Sequence, residues 1–99
     1  MSQFYLASSV AGPNRDLTKG SREQSYWDQH AEFIDRLVDE GFIVMGGPIA
    51  GEGGALLIVK SDSEAAVRQR LRNDPWTTHG ILKLVNVQRW EIFIDELHR

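Results

Sequence analysis

His30 is the residue of this 99-residue chain whose setting most suggests chemistry: a histidine placed among aromatic and aliphatic neighbours. Imidazole titrates near neutrality, so it can take and return a proton at working pH. Further along, Asp74-Pro75-Trp76 puts a carboxylate where a helix has to stop. If the fold returns the two segments to one place, Asp74 would fix the tautomer of His30 and stabilise its protonated form. Such acid–base assistance is typically worth about 100- to 10,000-fold in rate. Both residues also have a purely structural use. A lone histidine on an apolar helical face can be a satisfied core residue, and Asp before Pro commonly makes a side-chain turn with the next stretch of backbone.

Other candidates cluster around this pair. Trp27 and Trp76 adjoin it in sequence and offer flat apolar walls to a ring-shaped ligand, although core packing explains each of them equally well or better. His79 comes soon after Pro75 and is a substrate-binding candidate. With His30 and Asp74 it would make the two-His-one-carboxylate set of non-haem iron sites, but no metal-ligand spacing is present and no metal is assigned. Ser8, with Ser9, stands at the end of the first strand and could hydrogen-bond a ligand carbonyl; no Ser/His/Asp order marks a nucleophile. Gly51-Glu52-Gly53-Gly54 lacks the lysine and hydroxyl of a P-loop and reads as a hairpin connection. His98 lies in a charged tail and reads as solvated surface.

Composition narrows the class. A net charge of −3 argues against nucleic acid as a partner, because phosphate binding needs a basic footprint. Arg68, Arg70 and Arg72 alternate and would fan out around a helix. Without cysteine there is no disulfide framework, thiol nucleophile or thiolate metal site, and a reducing cytoplasm is the expected compartment. No apolar run has the length of a membrane span, and the N-terminus lacks a basic-then-apolar leader. A single domain over 1–99 is expected.

The elements that must position these residues are set by periodicity. A strand is expected over 3–7, then a long polar loop over 8–22, of a length that serves either as a lid or as a floppy insertion. Ser25, with Asp28 three positions on, predicts a helix start, and Tyr26, His30, Phe33 and Leu37 recur at helical spacing until Gly41. A strand over 42–45 should break at Gly46-Gly47-Pro48, and another should run over 55–59. Ser61 and Glu64 predict a capping box for a helix over 63–73, which Pro75 closes. The last strand, 81–94, changes its alternating face near Val85, predicting a bulge. The order is βαββαβ, an α+β ferredoxin-like fold with a four-stranded antiparallel sheet. Two helices cover one face of such a sheet, yet the strands at 42–45 and 55–59 are apolar on both. Sheet-to-sheet packing in a homodimer resolves this.

With these elements in order, the chain resembles the YCII-related (YciI-like) family, within the dimeric α+β barrel superfamily. The resemblance is carried by His30 in its helix, Gly46-Gly47-Pro48, Gly53-Gly54-Ala55-Leu56-Leu57-Ile58-Val59, Asn73-Asp74-Pro75-Trp76, Gly80 and Val87-Gln88-Arg89-Trp90. It implies a small homodimer with an active-site cleft holding a His–Asp pair, here His30 and Asp74, with Gly47 and Pro48 beside the ligand. Relatives with assigned chemistry act on small ring compounds, among them a dehydrochlorinase of a chlorinated hydroxyhydroquinone. The wider superfamily includes muconolactone isomerase, haem enzymes and cofactor-free monooxygenases. Two features depart from the family pattern: Arg89, rather than proline, precedes Trp90, and the loop holding Arg15, Asp16, Lys19 and Arg22 is longer than in the shorter members. Both bear on the pocket mouth, so the dyad carries over and the substrate does not. The leading expectation is a cofactor-independent isomerase, lactone-forming or elimination enzyme acting on a small cyclic or aromatic metabolite. The alternatives are a non-catalytic ligand-binding or accessory module, and a cofactor-free or haem-dependent oxygenase.

Overall fold

A computed structural model describes residues 2–98; the side chain of His98, and with it the expectation of a solvated histidine, lies outside the described residues. The elements are β1 (Gln3–Ala11), α1 (Trp27–Asp39), β2 (Ile43–Pro48), β3 (Ala55–Ser61), α2 (Glu64–Leu71), α3 (Pro75–Thr78) and β4 (Leu82–Trp90). Short 3₁₀ turns occupy Ser21–Glu23 and Glu96–His98. The strands form one antiparallel sheet in the order β2-β3-β1-β4, the ferredoxin-like arrangement. No helix among the described residues is long and apolar enough to cross a membrane.

The core lies between the helices and one face of the sheet. Tyr5 and Ala7 of β1, Val59 of β3 and Val87 of β4 point into it, against Phe33 and Leu37 of α1 and Val67 and Leu71 of α2. Val59 and Val67 are 0% exposed, and burial of a side chain of this kind is worth roughly 1.5–3 kcal/mol. Gly41 ends α1 as its spacing predicts. It sits at φ 81°, a left-handed conformation that spares glycine the Cβ clash, and its N–H and that of Phe42 satisfy the carbonyls of Val38 and Leu37.

Four local expectations yield to pairing and packing. β1 continues through Ser8 to Ala11, because Ser9, Val10 and Ala11 pair with Leu84, Lys83 and Leu82. Gly46-Gly47-Pro48 extends β2 rather than breaking it; β2 is an edge strand, where proline costs no ladder bond. The second helix is capped by Ser63, whose hydroxyl accepts the Ala66 N–H at 3.1 Å, and not by Ser61; it ends at Leu71. β4 stops at Trp90, which pairs with Phe4 as the last rung of its ladder with β1, short of the expected end at Ile94. The bulge does occur: Ser8 pairs with Asn86 and Ser9 with Leu84, leaving Val85 as the extra residue.

Among the described residues no helix covers the opposite face of the sheet. Residues directly across a ladder share a face, so Leu6, Ile58 and Met45 lie together there, with Leu56 beside Ser8 and Trp90 beside Phe4. Met45 is 42% and Trp90 38% exposed on it.

Candidate active site

α3 is the element that builds the site, and Asp74 is what starts it. Asp74 Oδ1 accepts the Trp76 N–H at 2.9 Å as an N-cap, and Pro75 at the first helical position gives up an N–H that would have had no partner. The Asp-Pro pair that the sequence presents as a helix stop therefore opens a helix, the preceding one having already ended at Leu71. Trp76 is driven inward to 3% exposure, and its indole N–H donates to the Ser25 carbonyl at 2.9 Å, which locks α3 against the start of α1.

Across that contact His30 Nδ1 lies 2.9 Å from both carboxylate oxygens of Asp74. An ionised carboxylate only accepts, so it places the shared hydrogen on Nδ1, and in the neutral imidazole that tautomer leaves the lone pair on Nε2. The imidazole is stacked on the Trp76 indole, with centroids 3.8 Å apart and planes within 4°. Trp27, one helical turn before His30, closes a further side at 5.8 Å. The His30 and Asp74 side chains are 13% and 7% exposed. The imidazole thus has a fixed orientation and tautomer in apolar surroundings, with one nitrogen free.

The pair opens on a cavity of about 450 Å³, within the usual range for small-molecule pockets. Trp27, Trp76, Ile34, Val38, Ile43 and Leu57 make much of its wall, Gly47 and Pro48 line it from the edge strand, and Arg15, Ser21 and Arg22 close it from the loop.

Comparison with known proteins gives the family of the chain. The profile of the YCII-related domain matches residues 4–91. The chain belongs to the YCII-related family. Among solved structures, it is similar to the 5-chloro-2-hydroxyhydroquinone dehydrochlorinase of Burkholderia phenoliruptrix AC1100 in complex with 2,5-dihydroxybenzoquinone. The TM-score is 0.70 and the identity 26%, over 89% of this chain and 93% of that one. An uncharacterized protein from Thermotoga maritima shares the fold at TM-score 0.51 and 18% identity, over 92% of this chain and 100% of that one. No curated protein is significantly similar to it in sequence.

The remaining candidates of this YCII-related chain divide in two. Trp27, Gly47, Pro48 and Trp76 meet at the cavity with His30 and Asp74. Ser8 lies on the far face of the sheet, between Leu56 and Asn86, and is not among the cavity-lining residues. His79 stacks on Tyr26 outside the cavity, with centroids 3.8 Å apart and planes within 3°. Among the described residues no group of His, Asp and Glu could hold a metal ion, so the two-His-one-carboxylate set is not assembled.

Sequence reasoning overlooked two features. Ser25 does not cap α1 with its side chain; Tyr26 occupies the cap position in the left-handed region at φ 64°. Gln24, 5% exposed, pins the loop: its amide oxygen accepts the Asp16 N–H, and its NH₂ donates to the carbonyls of Asp16, Lys19 and Gly20. Within that loop the Thr18 hydroxyl, then its N–H, donate to Asp16 Oδ1, and Lys19 lies 3.9 Å from the carboxylate. Together they hold Asp16 below its ordinary carboxylate value. A buried glutamine beside a polar loop is a readable signal only once the loop's closure is known.

Proposed function

We propose that this YCII-related protein is a small-molecule enzyme in which His30 Nε2 shuttles a proton and Asp74 orients it, without a cofactor. The observation that carries the reading is the equal 2.9 Å contact of Nδ1 with both Asp74 oxygens, at the wall of an apolar cavity. Nε2 removes a proton from the bound ring, and the positive charge formed on the imidazole is offset by Asp74. The stacked indole adds a cation–π attraction of about 0.5–2 kcal/mol to that charged form. In an isomerisation or lactone closure the proton returns to another atom of the substrate. In an elimination the C–H electron pair becomes the new double bond, the leaving group departs as an anion, and His30 passes its proton to water. The similarity to a dehydrochlorinase that binds a dihydroxylated quinone supports a cyclic substrate of this size.

The test is a thermal-shift screen of quinones, lactones and hydroxylated rings on the wild type and His30→Ala, then turnover of every hit. Ligands should bind both proteins, and conversion should fall about 100- to 10,000-fold in the variant. Undiminished conversion by His30→Ala would overturn the assignment, and binding with no conversion by the wild type would leave a ligand-binding module. A Soret band in the purified protein would sink cofactor independence.

The reading includes a homodimer packed sheet to sheet. Its support is the helix-free face, where Phe4, Leu6, Leu56 and Ile58 lie with the exposed Met45 and Trp90. Light scattering at micromolar concentration should return twice the chain mass; a stable monomer refutes it.

A further inference from the structure

We propose that Arg15 is the anion anchor of this cavity, and that the compound it takes is a ring bearing a carboxylate. The inference names the substrate class of the acid–base site above and rests on that reading for the proton transfer after binding; the anchoring is tested by binding alone.

The charges lining the cavity are unbalanced. Two guanidiniums, Arg15 and Arg22, face one carboxylate, Asp74, whose oxygens are already engaged by His30 Nδ1 and the Trp76 N–H. None of the ion pairs among the described residues involves Arg15 or Arg22. Arg15 is half-buried, and its side-chain partners are neutral: the Ser21 hydroxyl at 3.4 Å and the Trp76 ring, 6.0 Å from guanidinium carbon to centroid. A partly desolvated cation in no ion pair, in a largely apolar pocket, favours an anion there more than the same cation in open water would. Arg22 belongs to the exposed rim, where salt screens it.

Geometry links this charge to the dyad. Trp76 is the common neighbour, its ring stacked on His30 at 3.8 Å and 6.0 Å from the Arg15 guanidinium carbon, which puts the guanidinium within reach of a ligand that also meets the imidazole. A flat ring against the tryptophan wall can present a carboxylate to Arg15 and its own C–H or O–H to Nε2. Guanidinium presents a planar fork that matches two coplanar oxygens, which selects carboxylate over a single neutral carbonyl.

The anchor is also prepared in advance. The N–H groups of Gly12 and Asn14 donate to the carbonyls of Ile81 and Gly80, and the Asn14 side chain donates to the His79 carbonyl. Gly12 packs so tightly on the Gly80 carbonyl that a Cβ there would collide with it. The loop that carries Arg15 is thereby stapled to the segment just after Trp76, and Gln24 holds its far side. Binding then orders little that is not already ordered, which leaves more of the contact energy as affinity.

The test titrates benzoate, the neutral isostere benzamide and inorganic phosphate into the full-length wild type by calorimetry. Arg15→Gln, Arg15→Lys and Arg22→Gln are titrated in the same way, each checked for an unchanged circular dichroism spectrum. Wild type should prefer benzoate to benzamide by about tenfold or more, and phosphate should bind more weakly than benzoate. Arg15→Gln should erase the preference while keeping its affinity for benzamide. Arg15→Lys should keep part of the preference, and Arg22→Gln most of it. Equal binding of benzoate and benzamide by the wild type, a preference that survives Arg15→Gln, or phosphate binding as tight as benzoate would each overturn the proposal. Should neither aromatic probe bind at millimolar concentration, the ring-binding cavity falls and this assignment with it. Loss of turnover in His30→Ala with the benzoate preference intact would separate the two readings.

Discussion

His30 and His79 each lie flat on an aromatic ring, and the two stacks are nearly superimposable in geometry. Centroids are 3.8 Å apart in both, with planes within 4° for His30 on Trp76 and 3° for His79 on Tyr26. Their surroundings differ. His30 has Asp74 on Nδ1, a partner ring that is 3% exposed, and a cavity in front of it. His79 is exposed, its partner Tyr26 is 42% exposed, and no carboxylate pairs with it among the described residues. Stacking supplies orientation and dispersion in both places. The proposed proton transfer draws on two features that, among the described residues, only the first has: a carboxylate against Nδ1 and a largely apolar cavity beside the ring.

The comparison breaks most visibly at Asp74. Asp74→Asn retains an oxygen to accept the Trp76 N–H, so α3 should still form, but it removes the negative charge behind the imidazole. Turnover should fall about 100-fold or more with the circular dichroism spectrum unchanged. Asp74→Ala also removes the cap, and its thermal midpoint should drop by the equivalent of about 1 kcal/mol for that loss alone. His79→Ala is the matched control. An exposed aromatic stack is worth on the order of 1 kcal/mol or less, so stability should fall slightly and turnover by less than about twofold. If Asp74→Asn and His79→Ala behaved alike, the distinction between the two histidines would be lost.

Much of the candidate site was legible because His30 and Asp74 stand at points of local punctuation. His30 interrupts an apolar helical stripe, and Asp74 precedes the proline that ends a helix; each is conspicuous without any tertiary knowledge. The Val85 bulge was visible as a change of alternating face. Other features are set by distant chain. α3 has four residues, too few for periodicity, and the proline that opens it reads as a stop. Tyr26 adopts its left-handed conformation at the start of α1, where its ring stacks on His79 and the neighbouring Ser25 carbonyl meets the Trp76 indole; no capping rule contains those partners. Arg15 enters the cavity from a loop held by the bonds of Gly12 and Asn14 to residues 80 and 81 and by the Gln24 amide, so a loop cation that could point anywhere is aimed by contacts with distant chain. Gly46-Gly47-Pro48 looks like a breaker until β3 supplies a partner and the sheet edge removes the need for a proline N–H.

The smallest expected effect concerns how firmly that loop is held, and it separates the loop from the His30–Asp74 pair. Asp16 Oδ1 accepts both the Thr18 hydroxyl at 2.6 Å and the Thr18 N–H at 2.9 Å, and these bonds, with Lys19 nearby, lower its pKa in the folded state. A carboxyl that is more acidic when folded than when unfolded adds stability above its ordinary, unfolded pKa. That contribution is lost as pH falls through the lowered folded value. The charge is fully solvent-screened, so the effect should be small and confined to the acid limb. Asp16→Asn keeps an acceptor for both Thr18 donors and removes only the charge. Wild type should therefore be the more stable at neutral pH, and the gap in thermal midpoint should close below the usual carboxylate range. Amide exchange over residues 12–24 should show the same pH dependence, while protection around His30 and Asp74 stays level between the two proteins. A gap that persists unchanged into acid would show that the Asp16 charge plays no part in holding the loop, and would leave the Gln24 amide and the Gly12 contact as its fastenings.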